Sequence, residues 1–257
     1  MVYGELAQGP ASDLARCNVQ LRYTEPYPAS LRKYSPHWEA LSSYPVLPKY
    51  LSLSELADLP ISQLLHLDCD TFFFADVNLL FERYCEHDWY GREEVHSPWS
   101  PHSDPVYLDA AALAAIVQSE RLRAAPTLNT GAVLLNHGVH AAAGKQCAAV
   151  LEYVARFMLW LAQHPRAGEN LPFAAPISPD LSALPFPSSN AWIADEVAFW
   201  LALGRLPGIT ASVFAEHDFL QGQEFLATSR AATKAVAAHY FSANQQEFVE
   251  WLGDDLD

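Results

Sequence analysis

Two carboxylates two residues apart, Asp68 and Asp70, close an apolar run, Leu64-Leu-His-Leu, and precede a second one, Thr71-Phe-Phe-Phe. A short apolar run bounded in this way reads as a buried strand. Carboxylates delivered to its end need something that compensates their charge, and a divalent cation held by carboxylate and water oxygens is the simplest candidate. Because side chains alternate along a strand, Asp68 and Asp70 are expected on one side of it, roughly 7 Å apart, with Cys69 on the other. Downstream, Asp76 is expected to cap a helix whose apolar face carries Val77, Leu80, Phe81 and Tyr84. The acids then lie at the carboxyl end of a strand that feeds a helix, which is where open α/β sheets bind ligands.

Three further stretches carry polar residues in suggestive places. In Leu128-Asn-Thr-Gly-Ala-Val-Leu-Leu, Gly131 permits close backbone approach or positive φ, and the apolar tetrad after it reads as a buried strand entered from a loop. In Asn190-Ala-Trp-Ile-Ala-Asp-Glu-Val-Ala-Phe-Trp-Leu-Ala-Leu-Gly, a helix is expected to begin near Asp195 and to stop at Gly204. Asp195 and Glu196 would suit its first turn by capping and by the helix dipole. In Ala237-Ala-His-Tyr-Phe, His239 sits in an apolar strand-like run, the setting of many core histidines. The segment from His87 to His102 is rich in Trp, His and Pro and reads as a surface loop, where Arg92 could pair with a phosphate or a sugar hydroxyl.

Composition narrows the class of partner. The chain of 257 residues is 51% hydrophobic, enough for a full core and for one α/β domain spanning 1–257. Its formal charge of −15 opposes binding to nucleic acid and anionic lipid, so a phosphate-bearing ligand would need a local cation. The cysteines (Cys17, Cys69, Cys85 and Cys147) show no Cys-x-x-Cys spacing and read as reduced thiols. The amino terminus has no basic region followed by an apolar core. The most apolar helical stretch, from Ala141 to His164, is broken by Lys145, Glu152 and Arg156 and reads as amphipathic, with no transmembrane segment. These features favour a cytoplasmic protein.

Taken together, the motifs resemble the GT-A fold glycosyltransferases, and most closely family 8, the glycogenin and galactosyltransferase-like enzymes. The phrase Leu67-Asp-Cys-Asp-Thr-Phe-Phe-Phe-Ala-Asp-Val-Asn-Leu-Leu-Phe is similar to that family's metal-binding Asp-x-Asp segment. Haloacid-dehalogenase phosphatases use a related Asp-x-Asp-x-Thr phrase, but here Thr71 comes one position too early. The resemblance implies an α/β, GT-A-like fold with a mixed, mostly parallel sheet flanked by helices. It implies Mn²⁺ or Mg²⁺ bound by Asp68, Asp70 and His239, and a donor or acceptor contacted by Asn129, Thr130 and Gly131. Asp195 matches the family's acid facing the transferred sugar, as the catalytic carboxylate, and Glu196 stands where the family has an amide. The implied reaction passes a sugar from a nucleoside diphosphate sugar, a UDP-sugar in the first instance, to a hydroxyl acceptor such as a carbohydrate, with retention.

Two departures from the family pattern qualify that expectation. The residues before Asp68 hold at most one readable strand, so the first nucleotide-binding β-α unit is expected to be short or missing. The Lys-Pro-Trp group that follows the family's histidine is replaced by Ser242-Ala-Asn-Gln-Gln, which leaves Arg92, Lys234 or Arg230 as the alternative cation for a diphosphate. A non-catalytic carbohydrate- or nucleotide-binding protein and a nucleotide-sugar hydrolase are the other readings compatible with the same motifs.

Overall fold

A computed structural model of the chain describes residues 47–93, 118, 121, 128–146, 149–150, 191–227, 229, 232–240 and 245–253. The chain divides into two compact units, one of Met1–Asp58 with Ala143–Ala202, the other of Leu59–Ala142 with Leu203–Asp257. Arg230 and most of the amphipathic stretch expected from Ala141 to His164 lie outside the described residues.

In the first unit, helix α1 (Leu47–Leu56) buries Leu53 and Ala57 lies just beyond its end. Gly144 permits the close approach here, since a Cβ at that position would run into the Leu53 carbonyl and the Ala57 methyl.

The second unit holds all the described strands. Strands β1 (Leu64–Leu67), β3 (Trp89–Glu93), β4 (Leu128–Leu135) and β5 (Ala211–Val213) form a sheet in the order β1-β4-β3-β5. Strands β2 (Thr71–Phe73), β6 (Phe219–Gln221) and β7 (Ala237–His239) form another in the order β2-β7-β6. The architecture is mixed α/β with mixed sheets, as expected. The balance differs from the mostly parallel arrangement foreseen: β1 with β4, β3 with β4 and β2 with β7 are antiparallel, while β3 with β5 and β6 with β7 are parallel. Between the two sheets, β1 passes to β2 through a turn at Asp68-Cys69-Asp70 and changes sheet there instead of crossing over through a helix.

Helix α2 (Asn78–Arg83) starts one residue later than expected, with Val77 in place of Asp76 as its N-cap, while Asp76 Oδ1 accepts from the Asn78 amide at 2.9 Å. It contributes Leu80, followed by Tyr84, to a core that includes Tyr90, Leu134, Phe214, Phe219 and Ala237. Phe214 is stacked on Phe219 at 5.3 Å and meets Tyr84 edge-on at 4.9 Å. A second core lies on the other face of the three-stranded sheet, where Phe248 and Leu252 of the helix Gln245–Leu252 pack with Leu220, Phe225 and Ala238.

One buried polar knot crosses the first core. The Tyr84 hydroxyl donates to Asp218 Oδ2 at 2.7 Å and accepts from the Ala215 amide at 3.0 Å, while Arg83 pairs with the same carboxylate. Burial, reinforced by the bond to Asp218, pushes the Tyr84 phenol up to about 12 from its ordinary value of 10.0. The folded value exceeds the unfolded one, so the linked stability is complete below about pH 10 and is lost as the pH rises from there towards 12. Tyr84→Phe should erase this alkaline limb from urea-unfolding free energies and cost about 1–3 kcal/mol at neutral pH, because two buried partners lose their hydroxyl. An alkaline limb of unchanged size in Tyr84→Phe would assign it to another phenol.

Candidate metal centre

The junction between the two sheets builds the site. Strand β1 ends at Leu67, and the Asp68 amide then donates to the Gly131 carbonyl at 2.7 Å, one more rung on the β4 ladder. Two residues later the chain is already in the other sheet, with Thr71 opposite His239 and the Tyr240 amide donating to the Asp70 carbonyl at 3.2 Å. Asp68 and Asp70 therefore lie in a turn, not on a strand as expected from the sequence, and the alternation rule does not separate them. The turn folds both carboxylates toward the end of β7.

There they meet His239. One ligand atom from each of Asp68, Asp70 and His239 lies within 4.8 Å of the others, and His239 Nε2 is 3.0 Å from Asp70 Oδ1. His239 is 5% exposed and Asp70 half-buried. Ligand atoms each about 2.0–2.3 Å from one ion are at most about 4–4.6 Å apart. The triad is thus within a few tenths of an ångström of closing on a single cation. Two hard carboxylates with one imidazole suit Mn²⁺, and Mg²⁺ less well because of the nitrogen. Partial burial, then the charges of Asp70 and Asp68, push the Cys69 thiol up, so the residue between the acids stays a neutral thiol.

Gly131 has a definite job in this geometry. A Cβ there would fall within the His239 imidazole ring, so only glycine lets the ring lie against β4. Its amide donates to Asn129 Oδ1 at 2.8 Å, which fixes the local backbone. The sequence reading placed Asn129-Thr130-Gly131 in a loop entering a strand. The structure makes all of Leu128–Leu135 one buried strand, with a register irregularity against β3 between the partners of Gly91 (Val133) and Arg92 (Asn129).

The remaining candidates are positioned differently from one another. Arg92 lies on β3, within the segment read as a surface loop, and is buried: its guanidinium pairs with Glu224 and donates to the Phe214 carbonyl at 3.1 Å. The cation offered for a phosphate is thus engaged within the fold, whereas Lys234 is exposed. Asp195 and Glu196 belong to helix α3 (Ala191–Gly204), and both residues fall in the first unit. The helix ends at Gly204 as expected but starts four residues before Asp195, because Ala191 and Ala194 favour the helical state. Asp195 is therefore the fifth residue of the helix and not its cap, and Glu196 is buried.

No family model matches the chain, and no curated protein does. Among solved structures, the chain is similar to mouse xyloside xylosyltransferase 1 in its apo form, at 14% identity and a TM-score of 0.43, covering 92% of this chain and 81% of that one. No helix of the described residues is long and apolar enough to cross a membrane.

The sequence singles out the three converging residues but not their neighbour Gln221. It lies beside His239 in register on β6 and is 7% exposed. Its short segment, Asp218-Phe-Leu-Gln, carries no motif, and only the parallel pairing of β6 with β7 brings it to the site.

Proposed function

We propose that the protein is a metal-dependent glycosyltransferase of GT-A type, moving a sugar from a nucleoside diphosphate sugar to a hydroxyl acceptor. The observation that carries this reading is the convergence of Asp68, Asp70 and His239 from two distant segments onto one cation-sized space, in a chain whose motifs resemble family 8 in type and order. A divalent cation held there would offset the charge that develops on the leaving diphosphate. The chain's own contribution is to keep both carboxylates on one turn and to hold the imidazole against Gly131, so that a cation bound there would place positive charge within a chain of net charge −15.

Asp195 is proposed, from the sequence resemblance, as the carboxylate that stabilises the oxocarbenium character of the sugar, as in glycoside hydrolysis. It is not the helix cap, so Asp195→Asn should leave the unfolding free energy within about 0.5 kcal/mol of the parent. Turnover should fall by about tenfold to a hundredfold with donor affinity retained. Unchanged turnover would remove Asp195 from the chemistry.

The reaction itself is tested by incubating the protein with Mn²⁺ and a panel of nucleotide sugars, UDP-sugars first, and measuring free nucleoside diphosphate with and without hydroxyl acceptors. Acceptor-dependent release supports transfer, and release that ignores acceptors assigns the protein to nucleotide-sugar hydrolysis. A Tm raised by Mn²⁺ with a nucleoside diphosphate, but no release from any sugar, leaves a binding protein.

A further inference from the structure

The face of the three-stranded sheet that carries the first core changes character along its length. Its row Phe73, Ala237 and Phe219 is apolar and belongs to that core. The next row on the same face is Thr71, His239 and Gln221. Residues in register on adjacent strands point to one side of the sheet, with strands about 4.8 Å apart. The intervening residues Phe72, Ala238 and Leu220 belong to the opposite core, which confirms the facing. Gln221 is therefore the immediate lateral neighbour of the candidate cation-binding imidazole, on the flank away from Thr71.

Gln221 is buried, yet its Oε1 has no hydrogen-bond partner among the described residues. A carboxamide oxygen in that state carries an uncompensated desolvation cost, and such atoms in native proteins need an explanation. The neighbouring polar groups hold the Gln221 backbone instead of its side chain. The Gln221 amide donates to Glu224 Oε2 at 2.7 Å, and the other oxygen of Glu224 is paired with Arg92. The β6–β7 pairing thus sets Gln221 beside His239, the ion pair anchors its backbone, and its side-chain oxygen bonds to no described residue, His239 included. On the other flank of His239, Asp70 lies against Nε2. An imidazole that gives one nitrogen to a cation keeps a proton on the other, and that N–H is ordinarily handed to an acceptor that fixes tautomer and ring orientation.

We infer that Gln221 is a positioning residue of the cation site, its Oε1 accepting the imidazole N–H of His239 when the other ring nitrogen holds a divalent cation. The inference rests on reading Asp68, Asp70 and His239 as that site. Its test is a Mn²⁺ titration of the full chain without nucleotide, following the free aquo ion by electron paramagnetic resonance. Gln221→Met keeps the side-chain length and removes the acceptor, and should weaken Mn²⁺ binding by about 10- to 100-fold. Gln221→Glu restores an acceptor and should return the affinity to within about threefold of wild type. In Mg²⁺-loaded, ¹⁵N-histidine-labelled protein, the His239 ring N–H should be protected from exchange in wild type and Gln221→Glu and lose that protection in Gln221→Met.

Wild-type affinity and an unchanged ring signal in folded Gln221→Met would overturn the inference while leaving the cation site standing. Should Gln221→Met fail to fold, Gln221→Glu decides: weak binding with an unprotected ring N–H would overturn it equally. Absence of Mn²⁺ binding by the folded wild-type protein would instead remove the cation-site reading, and this inference with it.

Discussion

Asp70→Asn is expected to lower Mn²⁺-dependent release of nucleoside diphosphate by about 10³-fold or more, while the unfolding free energy stays within about 1 kcal/mol of the parent. The two halves of this expectation come from different atoms of the residue. What the fold uses is the backbone, whose carbonyl accepts from the Tyr240 amide at 3.2 Å, and a side-chain oxygen 3.0 Å from His239 Nε2. Asparagine supplies both. What a cation uses is the negative charge, and asparagine has none. An amide oxygen still coordinates hard cations, so the variant measures the value of the charge and not of the oxygen. Removing one of two neighbouring carboxylates also relieves repulsion in the metal-free protein, so any change in stability should be small and in either direction. The checks are Mn²⁺ affinity, initial rates at saturating Mn²⁺ and urea unfolding of the same preparation. Rates within tenfold of the parent, with Mn²⁺ dependence retained, would take Asp70 out of the metal centre.

How far the sequence speaks for this molecule depends on the range of the interactions involved. The apolar run ending in Asp68-Cys69-Asp70, the helix after Asp76 and the stop at Gly204 are encoded within a few residues, and each is found close to where the sequence puts it. The convergence of His239 with the two acids was legible only because the motifs stand in the order of a known family; nothing in Ala237-Ala-His-Tyr-Phe itself distinguishes a ligand from a core histidine. Strand β3 resembles a loop in the sequence because Trp89, Tyr90, Gly91 and Arg92 are all buried, so the period-two signal of a half-buried strand is missing. A basic residue in the run adds to the loop-like pattern, since the Glu224 that neutralises Arg92 lies far along the chain. The same holds for Gln221, which acquires meaning from a parallel pairing that no local pattern announces. The turn at Asp68-Cys69-Asp70 was read as strand because the run is apolar on both sides, and periodicity does not reveal that the two sides belong to different sheets.

Gly131→Ala should destabilise the protein by about 2–4 kcal/mol and weaken Mn²⁺ binding together with it. At an unstrained site the same change stabilises by about 0.4–1 kcal/mol, because alanine has fewer unfolded conformations to lose, and residue 131 lies in a strand and outside the positive-φ region, where alanine's backbone is allowed. The sign is reversed here by packing alone. A methyl at this position would occupy the space of the His239 ring, so the ring must leave or β4 must shift within a fully buried strand, an overpacking cost of about 1–3 kcal/mol. Displacing the ring adds the loss of its contact with Asp70 and opens a gap at the sheet junction. The decisive measurement is the double variant. His239→Ala removes the ring that collides with the new methyl, so Gly131→Ala should cost far less in that background, with a coupling energy of about 1–3 kcal/mol between the two positions. Additive costs in the cycle would mean that Gly131 is needed for its backbone and not for the approach of His239. Mn²⁺ affinity separates the consequences further: Gly131→Ala should bind Mn²⁺ more weakly even under conditions where it is fully folded, since the imidazole has been moved off the carboxylates that it must face.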